Sequence, residues 1–194
     1  MVKSIATQSV LCKEAEKASG QLPKLFNKKF FFLDVESIGL HGDPFALGVV
    51  ITNEEGTLID EFCWSVNRKL VAGSVEDRKW VDENVPDLAN THVSLIEMCK
   101  EFWNSWKLWK STGAVMVCDC PWPVEARFLN MCKNMDNDPF SGPYPLLDLS
   151  SMLYTKGFEP LGEFNRLTGE LPKHNPLCDA RQTKRLFFEL QGVK

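Results

Sequence analysis

Long apolar runs are missing from this sequence. No stretch reaches the roughly 20 apolar residues that a bilayer-spanning helix needs, so no membrane segment is expected. Residues 1–21 alternate Lys and Glu with small residues and lack the apolar centre of a signal peptide. The seven cysteines (Cys12, Cys63, Cys99, Cys118, Cys120, Cys132 and Cys178) are odd in number and scattered. That is no disulfide framework, and it points to an intracellular, reducing compartment such as the cytoplasm. Only Cys118 and Cys120 stand close together, and no second Cys or His pair sits at zinc-site spacing. All seven are expected as small buried hydrophobes. Internal repeats, low-complexity tracts, Gly-rich phosphate loops and a serine nucleophile elbow are also absent. The last two absences remove support for an unrelated α/β enzyme of those kinds.

What is present suits one ordinary core. The chain has 194 residues, 44% of them hydrophobic and 25% charged. We expect a domain over residues 29–194, preceded by an extension over 1–28 in which residues 9–19 predict a short surface helix. The net charge of −4 is unevenly spread. Residues 1–29 carry +4 and residues 156–194 carry +2, leaving −10 in the middle. Such a middle between basic ends suits a protein that holds cations centrally and a polyanion at its edges, although a solvated acidic surface looks the same.

Phe30 to Leu33 predicts a buried strand, Phe45 to Thr52 a second and Thr57 to Val66 a third, joined as an antiparallel meander. Leu95, Met98, Phe102, Trp106 and Trp109 recur at helical spacing; core packing explains this stripe better than base stacking does. Ala114 to Cys118 predicts a strand, followed by a helix from about Pro123, with proline in its first turn, to Lys133. Pro145 to Leu149 predicts a short strand feeding a helix through Tyr154, and Leu161 to Leu167 another short helix. The last helix has Asn175 as N-cap and Pro176 at its first position and runs to Leu190. The pattern is α/β, a mixed sheet flanked by helices.

Two motifs carry chemistry. Asp34-Val35-Glu36 ends the first apolar strand, and strand alternation puts both carboxylates on one face. Close carboxylates repel unless a cation lies between them, and Mg²⁺ favours such oxygens while keeping waters for catalysis. The bland alternative is the polar edge of a half-exposed strand. His174-Asn175-Pro176-Leu177-Cys178-Asp179 places a histidine just before the last helix and an acid in its first turn. The imidazole titrates near neutrality and can take a proton from a water nucleophile. The alternative is a surface histidine beside a helix-dipole partner.

These motifs resemble those of the DnaQ-like, or RNase T-like, 3′–5′ exonucleases of the DEDDh group, which have a ribonuclease H-like fold around a five-stranded sheet. In that family Asp-x-Glu ends the first strand, a third acid follows the fourth strand, and His-x4-Asp opens the last helix. Ser37-Ile38-Gly39-Leu40 resembles the family's Thr-Thr-Gly-Leu stretch, and Leu147-Asp148 its hydrophobic-Asp strand end. The middle motif departs from the family's Asp-x-x-Phe-Leu. Counting back from Phe128-Leu129 places Glu125 where the third acid belongs, with Asp119 six residues earlier at the strand end.

The resemblance implies two divalent cations, Mg²⁺ or Mn²⁺, held by Asp34, Glu36, Asp179 and Glu125 (or Asp119), with His174 as general base. It implies single-stranded DNA or RNA as substrate, cut from the 3′ end. Ser37, Ile38 and Leu40 would meet the terminal nucleotide, Leu40 as a wedge. For Trp122, packing against the turn fixed by Pro121 and Pro123 is the preferred reading, with base stacking as the alternative. Lys173, Arg181, Lys184 and Arg185 surround the last motif as phosphate contacts or as a solvated helix face. A catalytically inactive relative that binds nucleic acid or a protein partner is the second reading. The oligomeric state, a homodimer included, is left open.

Overall fold

The computed structural model describes residues 28–193. The helix predicted over residues 9–19, with all but the end of the extension, lies outside the described residues. Strands β1 (Lys29–Ser37), β2 (Pro44–Thr52), β3 (Leu58–Ser65), β4 (Ala114–Cys118) and β5 (Leu146–Asp148) form one sheet in the order β3-β2-β1-β4-β5. β2 is antiparallel to β1 and to β3, whereas β4 runs parallel to β1 and to β5. The sheet is thus mixed, five-stranded and flanked by helices, as the sequence predicts. The helices are α1 (Val75–Asn84), α2 (Leu95–Ser111), α3 (Val124–Lys133), α4 (Leu149–Thr155) and α5 (Pro176–Leu190).

β1 is buried on both faces, and its alternation sorts the core into two layers. Phe31, Leu33 and Val35 pack with Phe102 and Trp106 of α2 and Phe128 of α3. Phe30 and Phe32 pack with Leu149 and Leu153 of α4 and Phe187 and Phe188 of α5. The aromatic stripe of α2 is therefore core, with Met98, Phe102 and Trp106 fully buried.

Three local expectations need correction. Residues 161–167 form no helix: they alternate between exposed and half-buried, so no apolar stripe exists to hold one against the sheet. A 3₁₀ turn over Thr168–Glu170 follows instead, with Glu170 accepting from the Leu167 N–H at 3.0 Å. Conversely, the sequence pattern predicts no helix where α1 lies. Its charged sequence buries only Val81, and its one clear signal is the Ser74 cap on the Asp77 N–H at 3.0 Å. Finally, Cys120 is exposed and Cys63 only half-buried, whereas Cys99, Cys118, Cys132 and Cys178 are buried as expected. α3 starts one residue past Pro123, which occupies the N-cap position without a side-chain cap.

Candidate active site

The site forms where β1 outruns β4. Pairing between the two ends at Phe32 and Val117, but β1 continues to Ser37. Asp34 and Glu36 lie on this overhang and share the face of Phe30 and Phe32, the face covered by α5. Opposite Asp34 in the antiparallel pair stands Gly48. A Cβ there would lie 2.1 Å from the carbonyl carbon of Pro176 and 2.2 Å from the Leu177 nitrogen. The glycine is what lets the start of α5 press onto the sheet beside Asp34.

α5 brings the second motif. The Asn175 side chain caps the helix by accepting from the Leu177 and Cys178 N–H groups at 3.1 and 3.3 Å. His174 adopts a left-handed φ of 61°, unusual for a residue with a Cβ. Its N–H donates to Asp179 Oδ2 at 3.1 Å, which fixes the turn and the carboxylate together. The imidazole lies edge-on to Trp80 of α1, with ring centroids 5.2 Å apart, and its Nδ1 is 4.0 Å from Glu36 Oε1. Ligand atoms of Glu36, His174 and Asp179 all lie within 4.8 Å of one another.

The middle acids come from the other side of β1. Glu125, in the first turn of α3, is 7% exposed, and its Oε1 accepts the Val35 N–H at 3.3 Å. That N–H lies on the overhang, past the last residue paired with β4. Asp119 follows β4 directly, and its carbonyl accepts the Ser150 N–H at 2.8 Å. Asp148 caps α4 by accepting from the Ser150 N–H at 3.0 Å.

These carboxylates repel one another in a poorly hydrated place. Burial, and then the charges of Glu36, Asp179, Glu125 and Asp119, hold Asp34 well above the usual carboxylate range. Burial, with Asp179 and Glu125, pushes Glu36 up to about 8. Burial pushes Glu125 up to about 7, against its backbone hydrogen bonds, and Asp119 up to about 6 with help from Asp148 and Asp179. Partial burial holds His174 below its ordinary value, so the imidazole stays neutral and able to accept a proton to lower pH. A cluster of carboxylate oxygens with one imidazole is the donor chemistry of hard divalent cations, and a cation would remove the repulsion. The residues fit such ions.

No protein-family model matches the sequence, and no curated protein matches it. Solved structures do. A product-bound exonuclease I is 14% identical, with a TM-score of 0.59 over 87% of this chain and 44% of its own. A crystal structure of SSB/exonuclease I with the inhibitor CFAM is 12% identical, with a TM-score of 0.58 over 83% and 41%. A zinc-bound E. coli exonuclease I complex with single-stranded DNA is 12% identical, with a TM-score of 0.57 over 87% and 40%. The fold is shared with exonuclease I. This chain spans less than half the length of those proteins.

The structure gathers Asp34, Glu36, Asp119, Glu125, His174 and Asp179 into one cluster, although they span 146 residues of sequence. The nucleotide-contact expectations fare unevenly. Leu40 is 62% exposed, on a loop tied to α3 by Arg127 Nη1 donating to the Gly42 carbonyl at 3.2 Å. Ile38 is 1% exposed, belongs to the core and spends its N–H on the Asp43 carbonyl at 3.0 Å, so its expected contact with a nucleotide is not supported. Ser37 Oγ is engaged with the Gly39 carbonyl at 2.6 Å. Trp122 is 74% exposed, which overturns its reading as a packed residue. Of the basic residues, Lys173 pairs with Glu163, Arg181 with Glu61, and Arg185 with Glu170 and Glu189. Two residues beside the site carry no sequence signal: Trp80 of α1, against the His174 ring, and Arg166, bonded to Asp179.

Proposed function

We propose that this chain is a metal-dependent 3′–5′ exonuclease acting on single-stranded DNA or RNA. One observation carries the reading: carboxylates from β1, the β4 end, α3 and α5 crowd round one histidine, and desolvation with mutual repulsion raises the pKa of Asp34, Glu36, Asp119 and Glu125, which marks the cluster as short of positive charge. The exonuclease I fold and the single-stranded DNA in one such neighbour support it. Asp34, Glu36, Asp179 and Glu125, with Asp119 beside them, would hold two Mg²⁺ or Mn²⁺ ions. Bound there, such ions activate water, stabilise a leaving oxygen and offset the charge of a phosphodiester. His174 takes the proton of the attacking water on an imidazole nitrogen, and the Asp179 bond to its N–H keeps the ring over Glu36. Leu40, exposed on its loop, would pack against the terminal base and select a free 3′ end.

A second reading, an inactive relative that binds nucleic acid or a protein, draws on the Glu125 carboxylate, which already accepts the Val35 N–H. Labelled linear and circular single strands, DNA and RNA, incubated with Mn²⁺ or chelator separate the two. The proposal expects mononucleotides from linear strands with Mn²⁺ and survival of circles. Circles cut as fast as linear strands would make the enzyme an endonuclease. Binding without cleavage would favour the inactive relative.

A further inference from the structure

Arg166 stands at the edge of the acidic cleft, in the extended stretch before the 3₁₀ turn. Its side chain is only 16% exposed. Nη1 donates to the Glu170 carbonyl at 2.9 Å and to Asp179 Oδ1. Among the described residues, no hydrogen bond is formed by its Nε or Nη2, and neither atom is a sealed, unsatisfied donor. Three N–H bonds of the guanidinium therefore remain available to a ligand. The other arginines of this region differ. Arg181 places Nε and Nη2 on Glu61, and Arg185 is spent on Glu170, Glu189 and the Asn165 carbonyl. The charge of Arg166 also bears on Glu36, Asp119 and His174.

We propose that Arg166 is the phosphate-binding residue of this cleft and that it competes with the metal for Asp179. The inference rests on the nuclease reading. A cleft of carboxylates must admit a phosphodiester, and a planar guanidinium with a free edge matches two phosphate oxygens. The Glu170 carbonyl holds the group in place, so little side-chain entropy is lost on binding. Both oxygens of Asp179 already accept a hydrogen bond: His174 N–H takes Oδ2 and Arg166 takes Oδ1. A cation that uses Oδ1 must displace or share the guanidinium, which frees it to turn to the phosphate.

The experiment compares wild type, Arg166→Gln and Arg166→Lys by Mn²⁺ calorimetry and by steady-state cleavage of a linear single-stranded oligonucleotide. Removing the competitor should tighten Mn²⁺ binding in Arg166→Gln about two- to fivefold, the worth of a partly exposed ion pair. KM should rise about tenfold or more, the loss of a charge-assisted hydrogen bond. Arg166→Lys keeps the charge without the fork, so Mn²⁺ affinity should return towards wild type while KM stays raised. Wild-type values of both quantities in Arg166→Gln would overturn the proposal while leaving an active nuclease. Should Arg166→Gln fail to fold, an unchanged KM in Arg166→Lys would overturn it alone. Wild type that neither binds Mn²⁺ nor cleaves would overturn this proposal and the nuclease reading together.

Discussion

α5 touches two groups of acids, and they have opposite fates. At its start Asp179 joins Asp34, Glu36, Glu125 and Asp119, and burial with mutual repulsion raises the pKa of the last four. Further along, each acid has its own arginine. Hydrogen bonding from Arg181 lowers Glu61 against the effect of burial. Burial opposes the charge of Glu170, yet Arg185 and the Leu167 N–H together hold it below its ordinary value. Glu170 is as buried as Glu125, so burial alone does not separate the groups. The difference is whether the chain supplies the cation. Where it does, the acid is structural. Where it supplies only Arg166 for several carboxylates, the repulsion is left uncompensated within the chain, and on the proposed function an ion from solution would relieve it.

Breaking the first group should cost activity and not the fold. Asp34→Asn removes a buried charge that its neighbours oppose, so cleavage should fall below detection with the melting temperature unchanged or raised in chelator. Unchanged cleavage would remove Asp34 from the site. His174→Ala should lower kcat by about two to four orders of magnitude, the usual contribution of a general base. A mild effect, with activity flat from acid to neutral pH, would make His174 structural.

The third acid sharpens the comparison inside the group. Glu125 lies closer to the Asp34 end and spends one oxygen on Val35, whereas Asp119 faces Asp148 and Asp179. We expect Glu125→Gln to cost more cleavage and Mn²⁺ affinity than Asp119→Asn. Loss confined to Asp119→Asn would reverse the alignment of the middle motif, and loss in neither would favour the inactive relative.

The sequence made much of this visible because strand alternation is a strict rule. Phe30-Phe31-Phe32-Leu33 declared a buried strand, and Asp34 and Glu36 then had to share a face. Asn175 and Pro176 marked the start of α5, which fixed Asp179. What stayed hidden depends on tertiary contacts. Residues 161–167 carry enough Leu and Phe to suggest a helix, but their backbone is held by Glu170 and their polar groups by α5. Arg166 could not be singled out, because nothing local distinguishes it from Arg181 or Arg185. Only the partners, distant in sequence, make one a free donor and the others closed pairs.

A smaller effect follows from linkage. Glu36 sits near 4.5 in an unfolded chain and at about 8 in the folded one, and Glu125 moves the same way to about 7. The folded state therefore binds more protons between these values, and stability falls as pH rises through that window. In chelator the melting temperature should drop between about pH 5 and pH 8. Saturating Mn²⁺ should restore it most at the alkaline end, since a ligand of the folded state stabilises it and needs deprotonated acids. A melting temperature that is flat in chelator, or rises with pH, would contradict the charge repulsion assigned to the cleft.

The smallest effects belong to the second group and provide the control. Glu61→Gln breaks a partly exposed pair with Arg181 on β3, away from the cleft. It should cost at most about 1 kcal/mol, as such pairs do, with kcat, KM and Mn²⁺ affinity at wild-type values. Glu170→Gln should cost more, about 1–3 kcal/mol, because the amide carries no charge for Arg185 and keeps only one accepting oxygen, turning an NH2 donor towards either the Arg185 guanidinium or the Leu167 N–H in a buried place. Its carbonyl still holds Arg166, so cleavage should survive the substitution. Urea unfolding alongside Mn²⁺ titration reads both variants. If Glu61→Gln altered Mn²⁺ affinity as much as Glu125→Gln does, the two groups would be one electrostatic network, and the division between structural and metal-holding acids would fail.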